Sequence, residues 1–78
     1  MKEDLDKRDD MSYLQTAGRA LSILKMFRQE NTLSLPAIAS GLGVGKTIAY
    51  RLVHTLMTEG FLVQDPLTKQ YSLGEQVL

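Results

Sequence analysis

Apolar residues recur at helical spacing through the middle of the chain and switch to alternation near its end, and this change of period sets out the architecture. In the stretch 34–60, SLPAIASGLGVGKTIAYRLVHTLMTEG, Leu35, Ile38, Ala39 and Leu42 line one side of a short helix. Ser34 is placed to cap it, and Pro36 falls in its opening turn, where a missing N–H costs nothing. Gly43 offers the left-handed residue that closes a helix. Only Val44 and Gly45 then precede a second helical pattern, which starts near Lys46 and runs to about 59. Here Ala49, Leu52, Val53 and Leu56 form an apolar stripe, while Thr47, Tyr50, Arg51, His54 and Thr58 fall on the opposite side. Two short helices joined by so tight a turn make a helix-turn-helix.

On either side of that pair the pattern predicts one more helix and a hairpin. From Thr16, which can act as a cap, Ala17, Ala20, Leu21, Leu24 and Phe27 follow one helical face, widened by Ile23, to about Glu30. Tyr13, Ile23 and Met26 form a second apolar edge, either covering the small core or serving as a dimer surface. Asn31 and Thr32 turn the chain into Leu33, a short extended segment. After Gly60, Phe61, Leu62 and Val63 are β-prone, Asp65-Pro66-Leu67-Thr68 is a turn with proline second, and Gln70-Tyr71-Ser72-Leu73 resumes the alternation. Leu33 can add a third strand. The expected fold is mainly α with a small β-hairpin: a winged helix-turn-helix of three helices and a two- to three-stranded wing, spanning 13–74.

The ends read differently. Residues 1–12 are charged, hold a single Leu and lack periodicity, which predicts a disordered tail. Gly74 introduces what reads as the start of an interdomain helix at 75–78, and we expect the chain to be the N-terminal part of something longer.

Composition narrows the function classes. A chain of 78 residues is one small domain, which buries only ~60% of its unfolded surface, and its 44% hydrophobic content suffices for a core. No apolar run approaches membrane-spanning length and no signal-peptide pattern opens the chain, so a cytoplasmic protein away from membranes is expected. Without cysteine there is no disulfide or thiolate metal site, and the single histidine, His54, has no second histidine with which to hold a metal. Outside the tail the acids are Glu30, Glu59, Asp65 and Glu75, which no motif brings together, so no catalytic residue, metal or cofactor is expected and the chain does not read as an enzyme. Gly41-Leu42-Gly43-Val44-Gly45-Lys46-Thr47 imitates a phosphate-binding P-loop, but Ser40 stands where the pattern needs glycine, and the preceding segment has helical period instead of being a buried strand.

Charge gains meaning once divided by position. The chain as a whole is neutral, yet residues 1–10 carry −2 and the remainder +2. Between Leu42 and Thr58 the only formal charges are Lys46 and Arg51, so the polar face of the second helix is free of acid. A cation in the first turn suits a phosphate, and Thr, Arg and His further along can reach base edges. The candidate DNA-binding residues are Lys46, Thr47, Ile48, Tyr50, Arg51 and His54 on this helix, Ser34 at the cap before it, and Lys69 and Gln70 near the hairpin tip. Lys46 is assigned to phosphate and Arg51 to a base; Ile48 either meets a thymine methyl or packs inward. Two plainer readings stand beside this one: an amphipathic helix whose polar side faces water, and a winged helix used for protein interaction or dimerisation, with Tyr50 and Ile48 as apolar anchors.

The runs Arg19-Ala20-Leu21-Ser22-Ile23-Leu24, Leu35-Pro36-Ala37-Ile38-Ala39, Leu42 to Leu52, Glu59-Gly60-Phe61 and Tyr71-Ser72-Leu73-Gly74 together resemble the isocitrate lyase regulator (IclR) family of bacterial transcription factors. The resemblance covers about residues 13 to 78. It implies a winged helix-turn-helix that binds double-stranded operator DNA as a homodimer or higher oligomer, normally followed by a larger domain that binds a small effector and is missing from this stretch. It also implies that Lys46, Thr47, Tyr50 and Arg51 occupy recognition-helix positions and that an interdomain helix begins after Gly74.

Overall fold

The computed structural model describes residues 12–77. The tail expected over 1–12 lies outside them apart from Ser12, as does Leu78. In chain order come α1 (Gln15–Met26), α2 (Leu35–Leu42), α3 (Lys46–Thr58), β1 (Leu62–Gln64) and β2 (Tyr71–Leu73), closed by a single 3-10 turn at Glu75–Val77. This is the expected winged helix-turn-helix.

The joint between α2 and α3 follows from its sequence residue by residue. The Ser34 hydroxyl oxygen accepts the Ala37 N–H at 3.2 Å, and Pro36 sits in the first turn. At the other end Gly43 adopts φ 73°, ψ 32°. Its N–H donates to Ser40 and the Val44 N–H to Ala39, the paired bonds that close a helix on a left-handed residue. Gly45 then precedes α3 with an extended backbone. Gly41, a weak helix former, leaves room on α2 for the Met26 side chain, whose methyl occupies the place a Cβ would take.

The hairpin is antiparallel, with Leu62 opposite Leu73, Val63 opposite Ser72 and Gln64 opposite Tyr71. Asp65 organises its turn: one side-chain oxygen accepts from the Leu67 N–H at 2.8 Å and the Thr68 N–H at 3.4 Å, while its carbonyl accepts from Lys69. Pro66 presets the turn, and Lys69 takes φ 65° to bring the chain back. The first strand is shifted by one residue, taking in Gln64 and leaving out Phe61, and the second is one residue shorter than its pattern, leaving out Gln70. The third strand reduces to one bridge, Leu33 to Tyr71, because the segment before Ser34 must turn at once into α2.

The largest fully buried side chains, Ile23 from α1, Ile38 from α2, Val53 from α3 and Leu62 from β1, make up the centre of the core. Each such burial is worth ~1.5–3 kcal/mol. Phe27, Ala49, Leu52, Leu56 and Tyr71 complete the packing around them.

The first helix departs from expectation in three ways. It starts at Gln15, with Leu14 as a cap residue that makes no side-chain bond, so Thr16 lies inside the first turn. It ends at Met26, four residues short of Glu30, where the N–H groups of Phe27 and Arg28 tighten to Leu24 and Lys25. The polar run after Phe27 has nothing to bury, and the chain must bend to bring Leu33 to the hairpin. The helix is also rotated: Ile23, expected only to widen the core face, is fully buried, while Ala17 and Leu21, expected on that face, are exposed; Ala20, Leu24 and Phe27 pack inward as expected. Of the second apolar edge only Tyr13 stays open, since Ile23 is fully buried and Met26 packs partly against the core.

Candidate nucleic-acid interface

With Ala49, Leu52, Val53 and Leu56 buried, helical geometry turns Lys46, Thr47, Tyr50, Arg51, His54 and Thr58 outward from α3, and all six are exposed. The first turn of α3 holds no acid, and Gly45 provides no side-chain cap, so the positive end of the helix dipole meets Lys46 and solvent. Tyr50 and His54, one turn apart, stack with ring centroids 5.9 Å apart and planes 21° apart, which orders two of the larger side chains on this face. Thr58 and Thr55 instead turn their hydroxyls back, donating at 2.9 Å to the carbonyls of His54 and Arg51. Thr58 therefore has an acceptor to offer but no free proton.

Ile48 is 38% exposed and shares a groove wall with Leu52, so it sits at the margin of the face, neither buried nor central. Tyr50 marks the other margin, beside the wing. Burial, and after it the neighbouring Tyr50, pushes the Tyr71 phenol above its ordinary value of 10.0.

The remaining candidates come from two other elements. Ser34 stands half-buried at the start of α2, its oxygen engaged in the cap and its own proton available. Lys69 and Gln70 are exposed on the wing, on a backbone held by bonds from Gln64 Nε2 to the Lys69 carbonyl and from the Gln70 N–H to Thr68 Oγ1. Among the described residues no hydrogen bond or ring contact links either group to the α3 face, so each is placed by its own element.

Two features were not legible beforehand. Leu67 is 90% exposed at the outermost part of the wing, its only sequence signal being an apolar residue in a turn. A groove between α1 and α3, lined by Thr16, Arg19, Ile48, Arg51, Leu52 and Thr55, joins residues far apart in the chain and has no sequence signature. Among the described residues no three acidic, His or Cys side chains gather into a metal-binding group, and no helix is long and apolar enough to cross a membrane.

The pattern of helices, turn and wing has counterparts in known proteins. Residues 16–66 match the IclR helix-turn-helix domain. The chain is 38% identical over 66 residues to the glycerol operon regulatory protein of Streptomyces coelicolor, covering 83% of this chain and 26% of that protein. It is 32% identical over 69 residues to the HTH-type transcriptional regulator XynR of Escherichia coli, covering 87% of this chain and 27% of XynR. Among solved structures, an IclR family transcriptional regulator from Brucella abortus superposes with a TM-score of 0.82 at 37% identity, over 90% of this chain and 27% of that one. The chain thus spans about a quarter of the length of the relatives it matches.

Proposed function

The chain belongs to the family of IclR helix-turn-helix domains, and from that premise we propose that it binds double-stranded operator DNA as the DNA-reading part of a cytoplasmic transcriptional regulator. The observation that carries this reading is the exposed face of α3, which holds Lys46, Thr47, Tyr50, Arg51 and His54 without an acid and stands beside a wing. An α-helix of about 10–12 Å across fills a major groove of about 12 Å, so this face can reach base edges along its length. Lys46 meets phosphate at the helix start, Arg51 and Thr47 reach bases, and Lys69 and Gln70 follow the backbone from the wing. The kinship is with regulators, not enzymes. The P-loop imitation is accounted for as a helix end, a turn and a helix start, with no strand before it among the described residues.

The domain acts as a homodimer on an inverted repeat, its half-sites about one helical turn apart. Support comes from Leu14, at the cap before α1, and from Leu21 within the helix, 68% and 59% exposed, with exposed Ala17 between them.

A titration of this chain with a short mixed-sequence duplex at low salt, followed by two-dimensional amide NMR, tests the reading, because even a ~10⁻⁴ M non-specific encounter shifts resonances. Shifts over 46–58 and at Lys69 and Gln70 that reverse with added salt are expected. Silence there would leave the winged helix as a protein-interaction module.

A further inference from the structure

The groove between the start of α1 and the flank of α3 points to a seat for one phosphodiester of the bound duplex, clamped by Arg19 from α1 and Arg51 from α3. We infer this on the premise that α3 enters a major groove. The space is about 210 Å³, open on one side, with Thr16 and Thr55 on its walls and Ile48 and Leu52 as its apolar margin. Arg19 is half-buried and Arg51 exposed. No carboxylate lines it, and among the described residues neither guanidinium makes an ion pair or hydrogen bond.

Arg19 and Arg51 both line this acid-free cleft, so an anion seated in it is attracted by two cations. Guanidinium is well suited to the task, because its planar fork matches two phosphate oxygens at once. The surroundings add to this. Thr16 lies in the first turn of α1, a twelve-residue helix with no acid in that turn and no side-chain bond from its cap residue. The positive end of that helix dipole favours negative charge, and among the described residues no carboxylate lies in its first turn. The Thr55 proton is committed to the Arg51 carbonyl, so donors to the anion come from the arginines and Thr16.

The position fits a duplex better than a free ion. When a helix fills the major groove, a phosphate strand runs along each of its flanks. β1 of the wing packs against α3, and the α3 flank at Ile48, Arg51 and Thr55 is bordered by this groove. Arg51 then stands where the groove meets the reading face, and Arg19, which lies outside the helix-turn-helix, becomes a positioning residue that sets how far α3 can slide.

The Nε–H resonances of Arg19 and Arg51, read during titration with a mixed-sequence duplex and separately with inorganic phosphate, test this, together with Arg19→Gln and Arg19→Lys. Both Nε–H signals should shift with the duplex, and inorganic phosphate should shift the same pair more weakly and be displaced by DNA. Arg19→Gln should flatten the slope of log Kobs against log salt by ~0.9 for every duplex sequence, whereas Arg19→Lys should keep it. If α3 amides shift while Arg19 stays silent and the slope is unchanged, the clamp is refuted and the DNA-binding reading survives. If phosphate binds the pair and duplex does not displace it, the groove is a free-anion seat and the inference is overturned. If neither α3 nor the arginines respond to duplex, both fail. Should a variant misfold, the Nε–H titration of the parent chain decides alone.

Discussion

Leu33 and Tyr71 exchange both backbone hydrogen bonds, Leu33 N–H to Tyr71 carbonyl at 3.0 Å and the return bond at 2.8 Å. This one antiparallel bridge ties the residue before the Ser34 cap to the returning strand of the wing. It holds the wing at a set distance from the helix-turn-helix.

The Tyr71 side chain makes that tie sensitive to alkali. It is 4% exposed, and burial raises its phenol above the value of 10.0 it has when unfolded. A raised folded pKa means that this contribution is complete below the unfolded value and is lost as pH rises through the folded one. Urea unfolding between neutral pH and pH 11 should therefore show a steeper alkaline loss for the parent than for Tyr71→Phe. Parallel curves would show that the phenol stays solvated.

The α2 cap should be measurable in isolation. Ser34→Ala removes the acceptor for the Ala37 N–H and should cost ~1 kcal/mol in urea denaturation, with an unchanged m-value. Ser34→Gly should recover most of it. A loss far beyond that would place more than a cap at Ser34.

Two glycines should resist alanine for different reasons. Gly43 adopts φ 73°, with open space around it, so Gly43→Ala should cost ~1–2 kcal/mol through backbone strain alone. Gly74 is buried, and a methyl there would strike the Gly60 carbonyl oxygen. Gly74→Ala should cost ~1–3 kcal/mol and move wing amides in NMR spectra, which Gly43→Ala should leave in place.

On DNA the two cations of α3 should separate by role. Arg51→Ala should cost ~1–3 kcal/mol on the preferred duplex, relax base preference and also flatten the salt slope, because Arg51 stands where the reading face meets the phosphate groove, whereas Lys46→Ala should flatten the slope by about one unit and leave base preference intact. Fluorescence anisotropy against salt with preferred and scrambled duplexes measures both. Identical behaviour of the two variants would remove the division between reading and holding.

Symmetry gives the last test. Binding to an inverted repeat should exceed binding to a half-site, and Leu21→Glu on the exposed side of α1 should abolish the difference while keeping half-site affinity. Equal affinity of the parent for both duplexes would remove the case for a dimer.

The elements of this domain were legible because their signals are local. Ser34, Pro36, Gly43 and the stripe of Ala49, Leu52, Val53 and Leu56 specify two helices and their joint through contacts within a few residues, and Asp65-Pro66 specifies the hairpin turn in the same way. The outward face of α3 followed, because burying one stripe of a helix exposes the opposite one. The rotation of α1 did not follow. Its apolar residues cover more than one face, and only packing against α2 and α3 chose Ile23 over Ala17 and Leu21. Packing alone also shortened Leu33 to a single bridge and brought Arg19 to Arg51 across 32 positions of sequence. Periodicity carries information over a turn or two of chain, so it determined what the pieces are; burial of a shared core determined which of their surfaces meet.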